Sequence, residues 1–156
     1  MIIITPDEII NKGANSINTK SVFLAGTIDN GNSEDWQATV IRELNNLGLS
    51  VEVYNPRRKN WNPNPTKKDL EYQIKWEQEH LDNSTVIAMV LADNSKSPIS
   101  LLELGLYARS NKLIVFCTDK FYRFDNVRLT CEKYHIELVQ DLHPLIIANK
   151  IISKLI

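Results

Sequence analysis

The 156-residue sequence predicts an α/β protein in which helices cover both faces of a parallel sheet. Two observations lead to this class. Short apolar runs rich in β-branched residues alternate along the chain with segments of helical periodicity, which is typical of consecutive βα units. Two of the runs, 85–92 and 112–117, are apolar almost throughout, as strands covered on both faces are.

Five runs have the length and composition of strands. They are SVFLAG (21–26), SVEVY (50–54), TVIAMVLA (85–92), KLIVFC (112–117) and HIELV (135–139). With five strands, the expected class is a flavodoxin-like three-layer α/β/α fold with a five-stranded parallel sheet. We interpret residues 1–20 as an N-terminal extension, which either adds an edge strand or lies across the surface, and residues 21–156 as one domain.

Helical segments separate the predicted strands. The first has a cap-like Ser33 at its start and Gly48 as its stop. A further helix is predicted between the fourth and fifth strands, and another closes the chain. The predicted helices span 33–48, 67–83, 97–108, 126–134 and 144–156.

Charge and composition exclude several classes of partner. The formal net charge of −1 provides no overall field that would attract nucleic acid or an anionic membrane. The opening MIIIT is too short for a signal peptide, and no other apolar run approaches the ~20 residues of a membrane span. Cys117 and Cys131 lack CxxC spacing, so we interpret them as buried, reduced thiols. We therefore expect a soluble, cytoplasmic protein.

A long irregular loop, YNPRRKNWNPNPTKK (54–68), follows the second strand. Its prolines and asparagines prevent regular structure, and it carries aromatic rings and several basic side chains. Long loops in compact domains are often functional, but this composition is equally typical of a solvated connector. Both interpretations stay open.

The carboxyl ends of the first and third strands form the candidate binding crevice. Open parallel sheets bind ligands outside the carboxyl ends of their strands, where the strand order reverses, and the expected order puts that point here. Gly26 permits close approach of the backbone, and Thr27 follows it. Asp29 and Asp93 are the nearest carboxylates.

The third predicted helix carries a carboxylate in a segment that is otherwise apolar nearly all round. Ser97 and Pro98 are expected at its amino end, with Ser97 as the capping residue, so that this end points at the crevice. Glu103 lies less than two turns inside the helix, and Ser100 lies one turn earlier on the same face. Glu103 is either a structural carboxylate with a basic or amide partner, or a catalytic one.

Other catalytic motifs are absent from the sequence. Neither GxGxxG nor GxxxxGK[ST] occurs, so no dinucleotide or P-loop site is indicated. His80, His135 and His143 lack metal-ligand spacing, and no GxSxG elbow supplies a serine nucleophile. The predicted site is therefore centred on a carboxylate, with no metal and no cofactor.

Four segments carry a family resemblance: VFLAGTID at the first strand, YNPRR after the second, WEQEHLDNSTVIAMVLA through the third, and SPISLLELGLYA. Together they resemble the nucleoside 2-deoxyribosyltransferase-like family, in a divergent branch found in phage and bacterial genomes. The resemblance covers about residues 20–140. Its most specific part is the S-x-x-S-x-x-E-L-G run from Ser97 to Gly105, supported by N-P-R-R and W-x-x-x-H-L.

The resemblance implies that the protein cleaves the N-glycosidic bond of a deoxynucleoside or nucleotide, its small-molecule substrate. It implies that Glu103 is the nucleophile, which forms a glycosyl ester that a second base or water then attacks. A carboxylate suits this chemistry because the transition state resembles an oxocarbenium ion. The resemblance also implies a homo-oligomer with shared active sites, to which segment 121–129 would lend Asn126. Alternatively, Asn126 only caps the helix that follows it.

One departure from the family pattern leaves the reaction open. The family has an aspartate six residues before the nucleophile, and here that position is Ser97. Asp93 or Asp29 is then the expected proton donor to the leaving base. Serines at 97 and 100 also resemble those of relatives that hold a 5′-phosphate, so a nucleoside monophosphate N-glycosidase is one alternative. A non-catalytic protein that binds a nucleotide-like ligand is another, while transferase-like chemistry is slightly favoured.

The long loop supplies further candidates for binding the substrate. Tyr54 and Trp61 are candidates to stack on the base, and Arg57 or Arg58 to orient the base or a phosphate. The competing interpretation is that these side chains pack the loop onto the domain or pair with acidic surface residues.

Overall fold

Strand pairing in the computed structural model builds one sheet within residues 1–11 and 20–156, the part of the chain that the structure describes. Its strands are β1 Ile2–Ile4, β2 Ile9–Asn11, β3 Ser21–Gly26, β4 Glu52–Tyr54, β5 Val86–Leu91, β6 Leu113–Cys117 and β7 Glu137–Val139. The spatial order is β2-β1-β4-β3-β5-β6-β7. All neighbouring pairs are parallel except β1 with β2.

The prediction of five strands is wrong, because seven strands form the sheet in the described residues. The two additional strands come from the N-terminal segment, where β1 runs beside β4 with Ile3 opposite Val53. Met1 and Ile3 are buried, so this hairpin adds to the core and covers the edge that β4 would otherwise expose. The edge-strand alternative for the N-terminal segment is thus observed, and the rest of that segment, 12–19, lies outside the described residues.

The five predicted strands have the flavodoxin-like order expected from the sequence. β4, β3, β5, β6 and β7 lie side by side, so the strand order reverses between β3 and β5. At this point Gly26 has a φ of +130°, and a Cβ atom on it would lie 2.0 Å from the carbonyl oxygen of Val90. Glycine is therefore required where β3 and β5 meet at the crevice.

Helices cover both faces of the sheet and complete the three layers. Alternate residues of a strand point to opposite faces, so Leu24 joins the core under α1 and α5, while Phe23 joins the core under the other helices. The helices are α1 Trp36–Asn46, α2 Lys67–Asn83, α3 Pro98–Tyr107, α4 Phe124–Tyr134 and α5 Pro144–Leu155.

The cap predicted for α1 is wrong, whereas the bounds predicted for α2 are confirmed. Ser33 does not cap α1; its hydroxyl donates to the carbonyl of Ile28, and Asp35 accepts from the amide of Ala38 instead. α2 begins and ends as predicted. Its start is fixed because Thr66 and its capping partner in the first turn hydrogen-bond reciprocally after the Pro/Asn stretch.

The structure tests two expectations, that the cysteines are buried and reduced and that no segment spans a membrane. Cys117 and Cys131 are free and buried, as predicted, and burial raises the pKa of the Cys131 thiol to about 11. Within the described ranges, every helix is too short or too polar to span a lipid bilayer.

Candidate active site

A chain of hydroxyl groups joins the carboxyl ends of β3 and β5. Thr27 Oγ1 lies 2.7 Å from Ser97 Oγ, which lies 2.9 Å from Ser95 Oγ. Ser95 donates to Asp29 Oδ1 at 3.0 Å, and the amide of Ala92 donates to Thr27 Oγ1 at 2.9 Å. The structure thus brings together the predicted residues Thr27, Asp29 and Ser97. Ser95 is a member that the sequence analysis missed, although its place two residues before Ser97 was a signal.

The direction of this chain follows from its acidic end. Each hydroxyl carries one proton, and Ser95 uses its proton on Asp29. Ser95 therefore accepts from Ser97, and Ser97 accepts from Thr27. All three protons are used inside the chain, so only lone pairs of these oxygens are left for a ligand.

Ser97 precedes α3 as predicted, but its expected side-chain cap is wrong. Its backbone is left-handed, with φ 46° and ψ 54°, and its hydroxyl takes part in the chain to Thr27 and Ser95 rather than in a cap. Pro98 occupies the first helical position, as expected. The left-handed backbone directs the Ser97 hydroxyl towards the end of β3, where it joins the chain of hydroxyl groups.

Glu103 lies half-buried on α3, within the electrostatic influence of Glu77 of α2. Burial, and then the negative charge of Glu77, raises the pKa of Glu103 to about 8. Within residues 1–11 and 20–156, Glu103 forms no ion pair, so the structural interpretation with a basic partner is not observed. Ser100, one turn earlier, is buried at 4% exposure.

Glu77 is the functional candidate that the sequence analysis missed. It lies in α2, where burial raises its pKa and a hydrogen bond from Gln73 opposes that rise. The Nε2 group of Gln73 donates to Glu77 Oε1 at 2.8 Å and to the carbonyl of Pro56 at 3.2 Å. Glu77 belongs to the W-x-x-x-H-L segment, but a glutamate in an exposed-looking helix gives no sign of a partner 26 residues away.

Tyr54 does not line the crevice, so the structure does not support its predicted stacking role. The side chain is 8% exposed, and its hydroxyl donates to Glu52 at 3.0 Å. Its ring meets the edge of His80, which in turn stacks on Trp76. Tyr54 faces the core under α2 because alternate residues of β4 point to opposite faces.

Arg57 is occupied by the loop that follows β3. It is 9% exposed, and its guanidinium donates to the carbonyls of Gly31, Ser33 and Glu34 and lies 3.7 Å from Asp35. The predicted contact with a phosphate is therefore not available to this guanidinium, and the packing interpretation of the loop holds for Arg57. Arg57, in the segment after β4, therefore holds the turn that contains Asp29 by hydrogen bonds.

Arg58 and Trp61 also hold the long loop against the domain. Arg58 pairs with Asp7 beside the N-terminal hairpin, and this hydrogen bond lowers the pKa of the Asp7 carboxyl. Trp61 packs against Gly31 so closely that a Cβ atom on the glycine would lie 2.1 Å from the indole ring. Both contacts agree with the packing interpretation.

Asp93 and Asn126 are both exposed and lie outside α2 and α3. Asp93 follows β5, is exposed, and accepts a hydrogen bond from the Thr118 hydroxyl after β6. Asn126 is exposed inside α4, where Arg123 holds the cap position, so the alternative that Asn126 caps the helix is wrong. It lines a groove of about 320 Å³ between α3 and α4.

Glu77 and Glu103 favour one negative charge between them over two. Burial disfavours a charge on either group, and the charge of Glu77 disfavours a charge on Glu103. Such a pair supplies an acid and an anionic nucleophile at the same time. No cluster of metal-binding side chains occurs in the described ranges.

We expect Glu103→Gln to stabilise the fold at alkaline pH. A carboxyl whose pKa is raised to about 8 favours folding when protonated, and this advantage is lost as the pH rises from the ordinary value of 4.5 through 8. The melting temperature of the Gln variant should therefore match the parent at pH 4 and exceed it increasingly up to pH 9. Glu79→Gln, an exposed position of α2, is the control. A constant difference between pH 4 and pH 9 would contradict the burial argument.

The comparisons with known proteins identify the family of the chain. Residues 19–121, well over half of the chain, match the family described as nucleoside 2-deoxyribosyltransferase like, and this range includes Glu77 and Glu103 but not Asn126. No curated protein matches the sequence significantly. Among solved structures, a conserved protein from Enterococcus faecalis V583 matches with 12% identity and a TM-score of 0.49, over 85% of this chain and 88% of that chain. The chain belongs to the nucleoside 2-deoxyribosyltransferase-like family.

Proposed function

We propose that this protein cleaves the N-glycosidic bond of a 2-deoxynucleoside and transfers the sugar through an ester of Glu103. The observation that carries the proposal is the half-buried pair of Glu103 and Glu77, in a chain of this family. A half-buried carboxylate without a basic partner stabilises positive charge on the sugar better than one neutralised by lysine or arginine.

The first half-reaction forms the ester and releases the base. In the free protein the proton of the pair resides on Glu103, whose pKa is raised to about 8, and it passes to Glu77 before the reaction. An oxygen of Glu103, now ionised, bonds to the anomeric carbon, the bond from that carbon to the base nitrogen breaks, and its electron pair stays with the base. Glu77 gives its proton to the departing base, so the base leaves neutral and Glu77 becomes a carboxylate.

The second half-reaction reverses these roles. The Glu77 carboxylate takes a proton from an incoming base or water, whose nitrogen or oxygen bonds to the anomeric carbon. The ester bond then breaks with its electron pair on Glu103, which returns to a carboxylate. A base as acceptor gives transfer, and water gives hydrolysis.

Glu77 fits the role of proton donor better than Asp93, one of the two donors, with Asp29, expected from the sequence. The charge of Glu77 acts on Glu103 and raises its pKa, and burial raises the pKa of Glu77 itself, as suits a general acid. Asp93 is exposed and engaged with Thr118. Asp93 stays an alternative donor for the test below.

The crevice residues fit a nucleoside better than its 5′-monophosphate. Ser97 and Thr27 offer lone pairs rather than protons, and the chain that they form ends on the negative charge of Asp29. Arg57 is committed to loop carbonyls and Asp35. Gly26, Thr27, Asp29, Ser97 and Ser100 are the proposed sugar-binding residues, because sugar hydroxyls can donate to such lone pairs.

The direct test is to incubate the protein with deoxynucleosides and their 5′-monophosphates, with and without a second free base. We expect a new deoxynucleoside when both are present, and loss of at least about a thousandfold in turnover for Glu103→Gln, since the nucleophile is removed. Products are identified by chromatography and mass. Free sugar in undiminished yield, whatever base is added, would assign hydrolysis instead, and full activity of the Gln variant would remove Glu103 from the mechanism.

The proton donor is identified by comparing Glu77→Gln with Asp93→Asn. Each change removes the transferable proton with little change of shape. We expect Glu77→Gln to lower the rate of base release about a hundredfold and Asp93→Asn to change it little. The readout is single-turnover release of base. The reverse ranking would assign the role to Asp93.

We further propose that α3 and α4 form a contact between copies of the chain. Apolar side chains on these helices are exposed beside the groove that Asn126 lines. This is the place where Asn126 of one copy could reach the site of another, as the family resemblance implies. The exposed apolar side chains are Ile99, Leu102 and Leu106 of α3 and Leu129 of α4, with Tyr122 just before α4.

We expect an oligomer in light scattering, and a monomer of much lower activity after Leu102→Lys and Leu106→Lys are combined. Two charges on a buried apolar contact are costly, whereas on an exposed face they are harmless. Leu70→Lys, an equally exposed position of α2, is the matched control. A fully active monomeric parent would contradict the shared site.

A further inference from the structure

We propose that Gln73 is a positioning residue, which fixes the oxygen on which Glu77 carries the transferred proton. The inference rests on the proposed function, because it concerns the proton donor of that reaction. Gln73 lies one turn before Glu77 in α2, so the two side chains share one face of the helix.

Both hydrogens of the Gln73 amide nitrogen are committed to acceptors. One is donated to Glu77 Oε1 at 2.8 Å and the other to the carbonyl of Pro56 at 3.2 Å. An oxygen that already accepts this hydrogen bond cannot hold the proton in the same direction. A proton on Glu77 therefore occupies Oε2, and Gln73 thereby defines a single acidic oxygen.

Pro56 keeps the amide from turning over. A reversed amide would set its carbonyl oxygen against the Pro56 carbonyl, and two acceptors facing each other repel. The observed orientation leaves Gln73 Oε1 buried without a hydrogen-bond partner in the described part of the chain. An orphaned acceptor is unfavourable, so its retention indicates that the two donated bonds determine the orientation.

Of the groups described around Glu77 and Glu103, Gln73 is the one that donates a hydrogen bond to Glu77. From α3, Glu103 faces Glu77 and repels its charge, and Tyr107 donates its hydroxyl to Asp82 at the end of α2. Gln73 is the group whose hydrogen bond lowers the pKa of Glu77 against the effect of burial. It connects the acid to the segment after β4, which Arg57 and Arg58 hold in place.

The experiment compares two kinds of leaving group. Departure of an ordinary base requires a proton, whereas a 7-methylated purine leaves without one because methylation has already placed positive charge on the ring. We expect Gln73→Met to lower kcat for ordinary deoxynucleosides about tenfold and to leave 7-methyl-2′-deoxyguanosine within about twofold of the parent. The basic limb of the pH profile should move to higher pH, because the hydrogen bond that lowers the pKa of Glu77 is lost.

Gln78→Met is the matched control, since it makes the same change at the exposed position after Glu77. Gln73→Leu is the second variant should the Met variant fail to fold. Equal losses on both leaving groups, or an unmoved pH profile, would overturn the positioning role while the proposed function stands. A parent that releases no base from either substrate would overturn both.

Discussion

The contact of β3 with β5 is the constraint on which the rest of the structure depends. These strands are the centre of the sheet, and their carboxyl ends approach so closely at Gly26 that no side chain fits against Val90. The strand order reverses here, so the loops after β3 and β5 separate towards opposite faces and open a crevice. The hydroxyl chain of Thr27, Ser95 and Ser97 then fastens the two loops across it.

The site follows from this constraint through α3. The helix starts at Pro98, immediately after the hydroxyl chain, and so its position relative to the sheet is fixed at the first turn. Less than two turns later lies Glu103, whose charged form burial and the charge of Glu77 in α2 make unfavourable. The sheet thus places a carboxyl group in surroundings that change its chemistry, and a rigid helix rather than a loop holds it there.

Arginine side chains with partners inside the protein hold the loops around the site. Arg57 binds the carbonyls of the turn after β3, and Arg58 reaches the N-terminal hairpin through Asp7. A buried guanidinium with several carbonyl partners is expensive to leave unpaired, so such residues determine loop conformation rather than wait for a ligand. This is why basic residues in a long loop were an unreliable sign of phosphate binding.

The sequence by itself determined the succession of strands β3 to β7 along the chain and the presence of a lone carboxylate, Glu103, in an apolar helix. Apolar alternation is a local property, and the E-L-G run lies within one helix turn, so both are readable without knowing what packs against them. Only the tertiary structure decided that β1 joins the sheet, that Tyr54 faces the core, and that Glu77 meets Glu103. Each of these depends on contacts between segments distant in the chain. Beside other neighbours, the same residues would have had other pKa values, another degree of burial and other roles.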